Sequence, residues 1–230
     1  MTARPLILGH RGASYAAPEN TLAAFHLARD MGANGVELDV RRTADDALVL
    51  SHDPDVEGLG LVRGVEFARL RTERPDVPTL AEALDELRGL LVNVEIKCLP
   101  WEPDADDEDR SVVRAVIDAI RDANADVIVS SFDLGSVDAC RELAPDLVTA
   151  WLTFGQPLAA VAVQTAAHSH AWLHPDRASA LSGGIDRAHE LGLKVDVWTV
   201  DYPGEIRALA QAGVDAIVTN RPDVALAALT

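Results

Sequence analysis

The chain alternates short apolar runs with amphipathic segments over almost its whole length. The apolar run at 6–8 is followed by a helical pattern that starts at Asn20 or Thr21 and extends to Met31. Short apolar runs that stop at Gly, Pro or polar residues are typical of buried strands, and apolar positions three or four residues apart are typical of helices. Further strands are predicted at 36–40, 47–51, 90–96, 127–131, 147–152, 171–174, 194–200 and 214–219. Helices are predicted between them at 79–87, 111–123, 133–143, 157–167, 178–191 and 203–212, and the segment 224–229 closes the chain.

The order of these elements predicts a fold of the α/β class. Strands that alternate with helices form parallel sheets, and about eight such units in 230 residues are typical of a closed (β/α)8 TIM barrel. The longest charged interruption, 101–110, is too short to separate two cores, so residues 1–230 are predicted to form a single domain. In barrels of this kind the functional residues gather at the carboxyl ends of the strands.

Carboxylates occur at the predicted ends of two strands. Glu37 and Asp39 are two residues apart, so their side chains face the same side of a strand, and Glu95 has the same relation to Lys97. Carboxylates inside a barrel are costly to bury unless they bind a cation or a partner. Three oxygen donors suit a hard divalent ion, Mg²⁺ or Ca²⁺. The alternative is a metal-free salt-bridge network in which Lys97 pairs with Glu95 and Arg11 pairs with Glu37. These residues alone leave both interpretations open.

Two histidines that follow predicted strands, His10 and His52, are candidates for acid–base catalysis. Histidine titrates near neutral pH, so one of the two can accept a proton from a nucleophile while the other donates a proton to a leaving group. Sequence spacing does not decide which of them is the acid. Trp198, at another strand end, is a candidate substrate contact, although a tryptophan there also fits a place in the core.

The charge of the chain limits its partners. The formal net charge is -17, which disfavours nucleic acid as a partner and disfavours docking on anionic membranes. An anionic small molecule would require a local reversal of the electric field. A divalent cation together with Arg11 and Lys97 would supply that reversal.

Other features of the sequence indicate the compartment. Two cysteines, Cys98 and Cys140, do not make a disulfide framework and favour a reducing environment. No apolar run reaches the roughly 20 residues of a membrane span, and residues 1–5 lead into the first strand without a leader pattern. A cytoplasmic protein without stable membrane insertion is therefore expected. Nothing in the sequence indicates its oligomeric state.

Five short motifs occur in a fixed order: His10-Arg11-Gly12, Pro18 to Thr21, Glu37-Leu38-Asp39, His52-Asp53 and Glu95-Ile96-Lys97. Each motif is weak by itself, but five of them in order, with the expected strand context, are specific. With them the sequence closely resembles the glycerophosphodiester phosphodiesterase family. Weaker similarities at 129–132, 197–200 and 219–222 extend the resemblance over nearly the whole chain.

The resemblance implies an enzyme that uses one divalent cation to hydrolyse glycerophosphodiesters to glycerol 3-phosphate and an alcohol. It implies acid–base roles for His10 and His52. The nucleophile is either water or the neighbouring glycerol hydroxyl, and the hydroxyl would give a cyclic phosphate first. The other site residues that it implies are Glu37, Asp39 and Glu95 as metal ligands, with Arg11 and Lys97 holding the phosphate.

Three segments add to the family pattern or depart from it. Residues 54–60 replace the longer Arg-Thr-Thr-Gly-like stretch of family members, so the identity of the leaving alcohol is left open. Asp201 replaces a frequent asparagine and is expected to add negative charge at the rim, which would favour cationic head groups. The acidic segment 102–109 is expected either to be a solvated loop or to overhang the site and disfavour anionic leaving groups.

A histidine cluster in the last third of the chain, His168, His170 and His174, invites a zinc interpretation. Zinc sites combine histidine with cysteine or carboxylate ligands. The cluster has no organised carboxylate or cysteine nearby in the sequence, so zinc binding is disfavoured. His174, at a predicted strand end, is the better candidate for a ligand contact.

Two other functions compete with diester hydrolysis. A phospholipase-like barrel that cleaves lysolipids by cyclisation would need an apolar surface or a lid, and the sequence shows no exposed amphipathic stretch. A catalytically silent barrel that binds phosphodiesters would be expected to have lost His10 or His52, and both are present.

Overall fold

The computed structural model describes residues 4–98, 102, 110–123 and 125–230 of the chain. Its strands are β1 (Leu6–His10), β2 (Gly35–Arg42), β3 (Leu48–Leu50), β4 (Asp55–Val56), β5 (Gly60–Leu61), β6 (Leu91–Ile96), β7 (Val127–Ser131), β8 (Val148–Thr153), β9 (Trp172–Pro175), β10 (Lys194–Val197) and β11 (Ala216–Thr219). Its helices are α1 (Leu22–Asp30), α2 (Phe67–Glu73), α3 (Leu80–Glu86), α4 (Ser111–Ala123), α5 (Leu134–Leu143), α6 (Leu158–Ala167), α7 (Arg177–Leu181), α8 (Ile185–Glu190), α9 (Pro203–Ala212) and α10 (Pro222–Ala228).

Within these described ranges, eight parallel strands close into a barrel. The hydrogen-bonded order is β1-β11-β10-β9-β8-β7-β6-β2, and pairing of β1 with β2 completes the circle. Gly35, where β2 starts, permits a close approach to β6, because a Cβ atom there would lie 2.2 Å from the carbonyl oxygen of Leu91. The predicted (β/α)8 TIM barrel is confirmed.

The strand predicted at 47–51 exists but does not belong to the barrel. It is β3, which pairs antiparallel with β2 through Val40 and Leu50. A parallel strand needs a crossover of about a dozen residues or more, whereas β3 follows β2 after only the short loop 43–47. His52 therefore lies on the loop after a hairpin, and its predicted place at the end of a barrel strand is wrong.

Helix boundaries follow the local capping chemistry. Thr21 caps α1 with its side chain, and Thr79 and Glu82 form a capping box at α3. The helix predicted at 178–191 is two helices, α7 and α8, because Gly183 and Gly184 both have positive φ angles, 106° and 102°. The sequence analysis did not predict α2 or the β4–β5 hairpin.

Among the described residues, no helix combines the length and apolar character that a membrane crossing requires.

The core lies on both sides of the barrel wall. Outward-facing strand residues pack against the helices in two clusters, one under α1, α3, α4 and α5 and the other under α6, α8 and α9. The barrel interior holds a smaller apolar cluster of Leu8, Ile128, Ala150, Trp172, Ala216 and Val218. The same interior also contains polar side chains, which is the arrangement expected below a functional site.

Asp196 is the most isolated of these interior polar groups. It lies on β10 with no exposed surface, and neither carboxyl oxygen has a hydrogen-bond partner among the described residues. His174 Nε2 lies 3.9 Å from its Oδ2. Burial, with a smaller contribution from the charge of Asp215, raises the pKa of Asp196 to about 8. Burial lowers the pKa of His174 to about 3, so both groups are neutral in the folded protein near pH 7.

The stability of the protein is expected to fall as the pH rises, because of Asp196. Its pKa of about 8 in the fold compares with about 3.9 in an unfolded chain. The contribution of neutral Asp196 to the free energy of unfolding is thus fully present below about pH 4. It is lost, by up to about 1.4 kcal/mol per pH unit, as the pH rises through the folded pKa. Asp196→Asn removes the titration, so urea unfolding should show the variant gaining stability relative to the parent between about pH 5 and pH 8. A stability difference that does not change with pH would contradict this.

Candidate active site

Three adjacent parallel strands bring the predicted metal ligands together. β1 and β2 are in register at His10 and Glu37, and β2 and β6 are in register at Asp39 and Glu95. The two-residue spacing turns Glu37 and Asp39 to the same side, as predicted, and that side is the barrel interior. The carboxyl groups of Glu37, Asp39 and Glu95 are buried, with oxygens that lie within 4.8 Å of one another.

Two cations partly neutralise this group of carboxylates. Lys97 Nζ lies 2.8 Å from Glu95 and 3.3 Å from Asp39, and Arg11 Nε lies 3.1 Å from Asp39. Arg11 reaches Glu37 through its backbone N–H, which donates to Oε2 at 3.0 Å, and not through its guanidinium group. Of the two salt bridges in the metal-free alternative, the one between Lys97 and Glu95 is present. Arg11 contacts Glu37 only through its backbone N–H among the described hydrogen bonds.

The charge in this group remains unbalanced. Arg11 is shared with Glu19, at 2.9 Å, so three buried carboxylates face fewer than two full positive charges. Burial and the charge of Asp39 raise the pKa of Glu37, whose Oε1 has no hydrogen-bond partner among the described residues. Burial also raises the pKa of Glu95 to about 7. Burial opposes ionisation of Asp39 as well, but the charges of Lys97 and Arg11 outweigh it and hold the pKa of Asp39 low.

These carboxylates fit a hard divalent cation. An oxygen-only donor set is what Mg²⁺ and Ca²⁺ prefer. Glu37 has a buried oxygen with no partner in the described part of the chain, and a cation would supply one. Asn20 fixes Asp39 from behind, because its Nδ2 donates to Oδ2 at 2.8 Å and its Oδ1 accepts from the backbone N–H at 3.2 Å. The role of these residues as ligands remains a prediction.

His10 is held by a chain of hydrogen bonds that ends at Asp201. Asp201 accepts from the backbone N–H and from Nδ2 of Asn220, at 2.8 and 2.7 Å. Asn220 Oδ1 consequently faces His10 and lies 2.7 Å from its Nδ1. Because an amide oxygen can only accept, the proton of neutral His10 is on Nδ1 and its Nε2 carries a lone pair. Burial, and then the charge of Arg11, lower the pKa of His10.

This chain of hydrogen bonds changes the interpretation of Asp201. Its carboxylate was expected to be a rim charge that selects cationic head groups. Its two oxygens orient Asn220 and accept from Thr219 at 2.9 Å, and the selection of head groups stays a prediction. Asp201 is thus committed to positioning His10.

His52 is held differently, from a loop. Its Nδ1 lies 2.8 Å from Asp53 Oδ1, and its carbonyl oxygen accepts from Arg41 at 2.6 Å. Arg41 projects inward from β2, with no exposed side-chain surface, and also pairs with Glu102 at 2.9 Å. A barrel strand therefore fixes the loop through one guanidinium group.

Glu102 is the one residue of the acidic segment 102–109 that the structure describes. The other residues of the segment, which were expected either to be a solvated loop or to overhang the site, lie outside the described residues.

One cavity of about 380 Å³ collects the predicted residues. The predicted residues that line it are His10, Arg11, Glu37, His52, Glu95, Lys97 and Trp198. Asp39 lies behind them, 1% exposed. His174, predicted as a ligand contact, also lines the cavity but is fully buried.

Trp198 forms an aromatic wall of this cavity. Its indole N–H donates to the carbonyl oxygen of His174 at 2.9 Å, and its ring meets Phe132 edge to face, with centroids 5.4 Å apart. Its predicted substrate contact remains a prediction. A second, more open cleft of about 1140 Å³ adjoins the cavity and is lined further by Trp151 and Phe154. The residues that the cleft shares with the cavity are His52, Lys97, Phe132, Leu152 and Trp198. Phe154 is 71% exposed.

Several residues of the site were not assigned roles from the sequence. Asn93 lies two residues before Glu95 and so faces the same cavity, and this spacing was a signal that could have been used. Asn220 follows a predicted strand directly, but its hydrogen bond to His10 joins positions 210 residues apart. Arg41 continues the inward-facing series Glu37, Asp39 on β2. No local pattern indicates the contacts of Arg41 or Asn220.

Fold and site together define a (β/α)8 barrel enzyme with a carboxylate site flanked by histidines. The model of the glycerophosphoryl diester phosphodiesterase family matches residues 10–224. A glycerophosphodiester phosphodiesterase of Caldanaerobacter subterraneus is 32% identical, over 96% of this chain and 96% of its own. The chain belongs to the glycerophosphoryl diester phosphodiesterase family, which confirms the resemblance and the predicted class of enzyme.

Solved structures agree with this assignment. Glycerophosphodiester phosphodiesterase from Thermotoga maritima has a TM-score of 0.83 and 26% identity, over 99% of both chains. A phosphodiesterase from Oleispira antarctica, solved in complex with the product sn-glycerol-3-phosphate, has a TM-score of 0.86 and covers 98% of this chain and 96% of its own. At 24% identity, that likeness concerns the fold.

Removal of one predicted ligand should weaken the binding of a divalent cation. Loss of even an outer partner of a metal ligand typically costs about 10–100-fold in affinity, so Glu37→Gln should weaken Mg²⁺ binding at least about tenfold in calorimetric titration. Binding requires ionised carboxylates, and since the pKa of Glu95 is about 7, the affinity should rise as the pH increases through that value. Glu190→Gln, which alters an exposed carboxylate that pairs with Arg187 outside the cavity, is the control. Equal affinities of the Glu37 variant and the control would contradict the assignment.

Proposed function

We propose that this protein hydrolyses glycerophosphodiesters to glycerol 3-phosphate and an alcohol, with a divalent cation held by Glu37, Asp39 and Glu95. The observation that carries the proposal is the unbalanced group of three buried carboxylates in a cavity shared with two histidines. The oxygen-only donor set favours Mg²⁺ or Ca²⁺. A cation bound there would neutralise part of the negative charge on the phosphoryl oxygens and would lower the pKa of the nucleophile.

Arg11 and Lys97 hold the phosphate in this proposal. Both line the cavity, and both are cations tied to the buried carboxylates. Burial opposes the charge of Lys97, but Glu95 and Asp39 outweigh it and raise its pKa, so the ammonium group stays charged throughout the working range. A fixed charge in a cavity of low dielectric constant stabilises an anion strongly.

The two histidines take different roles. His10 acts as the base, because its Nδ1–H is committed to Asn220, its Nε2 lone pair is available and its lowered pKa keeps it neutral near pH 7. It accepts the proton of the nucleophile, which is water or the adjacent glycerol hydroxyl. His52 acts as the acid. Its Nδ1 lies 2.8 Å from Asp53 Oδ1, which orients the ring and leaves Nε2 to donate a proton to the leaving alkoxide.

Hydrolysis of glycerophosphocholine and glycerophosphoethanolamine tests this function. Release of glycerol 3-phosphate should require Mg²⁺ or Ca²⁺ and should stop with EDTA. Because an acid–base residue typically contributes about 10²–10⁴-fold, His52→Ala should lower kcat by that factor. His26→Ala, which removes a half-exposed histidine paired with Glu86 on the helix side of the barrel, should leave kcat unchanged. A folded protein that turns over neither substrate with either cation would contradict the proposal and would favour the phosphodiester-binding barrel.

Lysolipid cleavage is a second candidate, favoured by the cleft beside the cavity. The sequence showed no apolar surface that could serve a lipid, but the cleft provides one in Trp151, Leu152 and the exposed Phe154. An alkyl chain that leaves the cavity past Trp198 would enter this cleft.

Phe154→Ser separates the two substrate classes. Burial of a phenylalanine side chain contributes about 1.5–3 kcal/mol, so its loss should raise KM for lysophosphatidylcholine by roughly tenfold or more, and that for glycerophosphocholine much less. The measurement is KM for both substrates below the critical micelle concentration of the lysolipid. An equal change in both KM values would remove the lipid candidate.

A further inference from the structure

A second group of potential metal ligands lies at the opposite end of the barrel from the active site. Asp138 projects from α5, His168 is the C-cap residue of α6, and His170 lies between α6 and the start of β9. The connection from a helix to the following strand runs at the amino-terminal face of the barrel, away from the catalytic cavity. The carboxylate that is missing from the neighbouring sequence is therefore supplied by a helix 30 residues earlier.

The chain folds so that both imidazole rings point at one carboxylate. Ser169, between the two histidines, has a φ angle of 63°, which reverses the chain after α6. His168 Nδ1 lies 2.9 Å from Asp138 Oδ2, and His170 Nε2 lies 3.1 Å from Asp138 Oδ1. The rings are nearly parallel, with an interplanar angle of 12° and centroids 6.2 Å apart.

His170 is held as a metal-binding histidine usually is. Its side chain is completely buried, and its other ring nitrogen, Nδ1, lies 2.9 Å from Thr149 Oγ1. A polar partner on the second nitrogen fixes the tautomer and the orientation of a ligating imidazole. His168 and Asp138 remain 41% and 32% exposed, so an ion and a water ligand can reach the group from solvent.

The donor set selects a different ion from that of the active site. Two imidazole nitrogens and one carboxylate oxygen suit Zn²⁺ and its neighbours Co²⁺ and Ni²⁺, whereas Mg²⁺ and Ca²⁺ prefer oxygen alone. Ligand bonds of about 2.0–2.1 Å in a tetrahedron put neighbouring donors about 3.3 Å apart. The two contacts to Asp138, 2.9 and 3.1 Å, need to lengthen only slightly to receive an ion.

An ordinary hydrogen-bonded pair provides a comparison within the same molecule. His189 Nε2 lies 2.9 Å from Asp215 Oδ2, with the histidine 37% exposed, much as His168 is. That pair has one imidazole ring, and Asp215 also accepts from the backbone N–H of Val195. Convergence of a second, buried imidazole on the same carboxylate distinguishes the group at Asp138. The charge of Arg141, one turn further along α5, opposes the binding of a cation and makes the affinity moderate.

We propose that Asp138, His168 and His170 bind a transition-metal ion of the Zn²⁺ type, with water as a fourth ligand, and that the ion ties α5 to the connection between α6 and β9. The site is structural, because it lies at the face of the barrel remote from the catalytic cavity. It does not depend on the proposed function of the active site.

The experiment is equilibrium dialysis of the full chain against Zn²⁺ in the presence of excess Mg²⁺, followed by metal analysis. The parent protein should retain one more equivalent of Zn²⁺ than His168→Ala or Asp138→Asn, whether or not Zn²⁺ also enters the carboxylate site. His189→Ala should match the parent. Thr149→Val removes the partner of His170 and keeps all three ligands, so it should weaken Zn²⁺ binding about 10–100-fold.

Two further readouts do not depend on enzyme activity. Zn²⁺ should raise the Tm of the parent more than that of His168→Ala, because an ion that binds only the folded state stabilises it. Co²⁺ should give the visible absorption of a tetrahedral nitrogen-containing site in the parent and lose it in His168→Ala. The proposal is overturned if the parent, His168→Ala and Asp138→Asn retain equal amounts of Zn²⁺, or if the Co²⁺ spectrum is the same in the parent and in His168→Ala.

Discussion

Repulsion among three buried carboxylates is the constraint on which the carboxyl end of this barrel depends. Glu37, Asp39 and Glu95 are brought together by strand register, which side-chain movement cannot relax. The surrounding residues partly offset that repulsion. Lys97 and Arg11 provide positive charge, and Asn20 provides hydrogen bonds to Asp39. Burial, together with the repulsion that these residues do not offset, raises the pKa of Glu37 and of Glu95, and a further cation among the three carboxylates would oppose both effects.

The two histidines proposed as catalytic lie in different parts of the molecule, one rigid and one adaptable. His10 ends a barrel strand and is oriented by Asn220 and Asp201, which lie at and beyond the end of β11. His52 is on a loop, 36% exposed, and is attached to the barrel through its carbonyl oxygen and Arg41. His10, the proposed proton acceptor, is thus positioned by the scaffold. His52, the proposed proton donor, is positioned by the rim, where alcohols of different size would be accommodated.

The sequence was sufficient to predict those features of the fold and of the site that follow from periodicity. A two-residue spacing on a strand placed Glu37 with Asp39, and the alternation of strands and helices predicted the barrel. It was insufficient where contacts join distant segments, as between Asp138 and the two histidines, or Asp201 and Asn220. The strand at 47–51 was recognised, but its direction depends on the length of a loop. The apolar cleft arises from side chains of several strand ends, and no single amphipathic segment shows it.

The hairpin strand β3 has a consequence for how such a barrel diversifies. Because β3 pairs outside the closed circle of eight strands, the segment 54–60 that follows it can gain or lose residues while the register of β2 with β6 is kept. In the proposed function, phosphate binding would thus depend on the barrel, and the choice of alcohol would depend on the rim. The two properties can evolve at different rates within one domain.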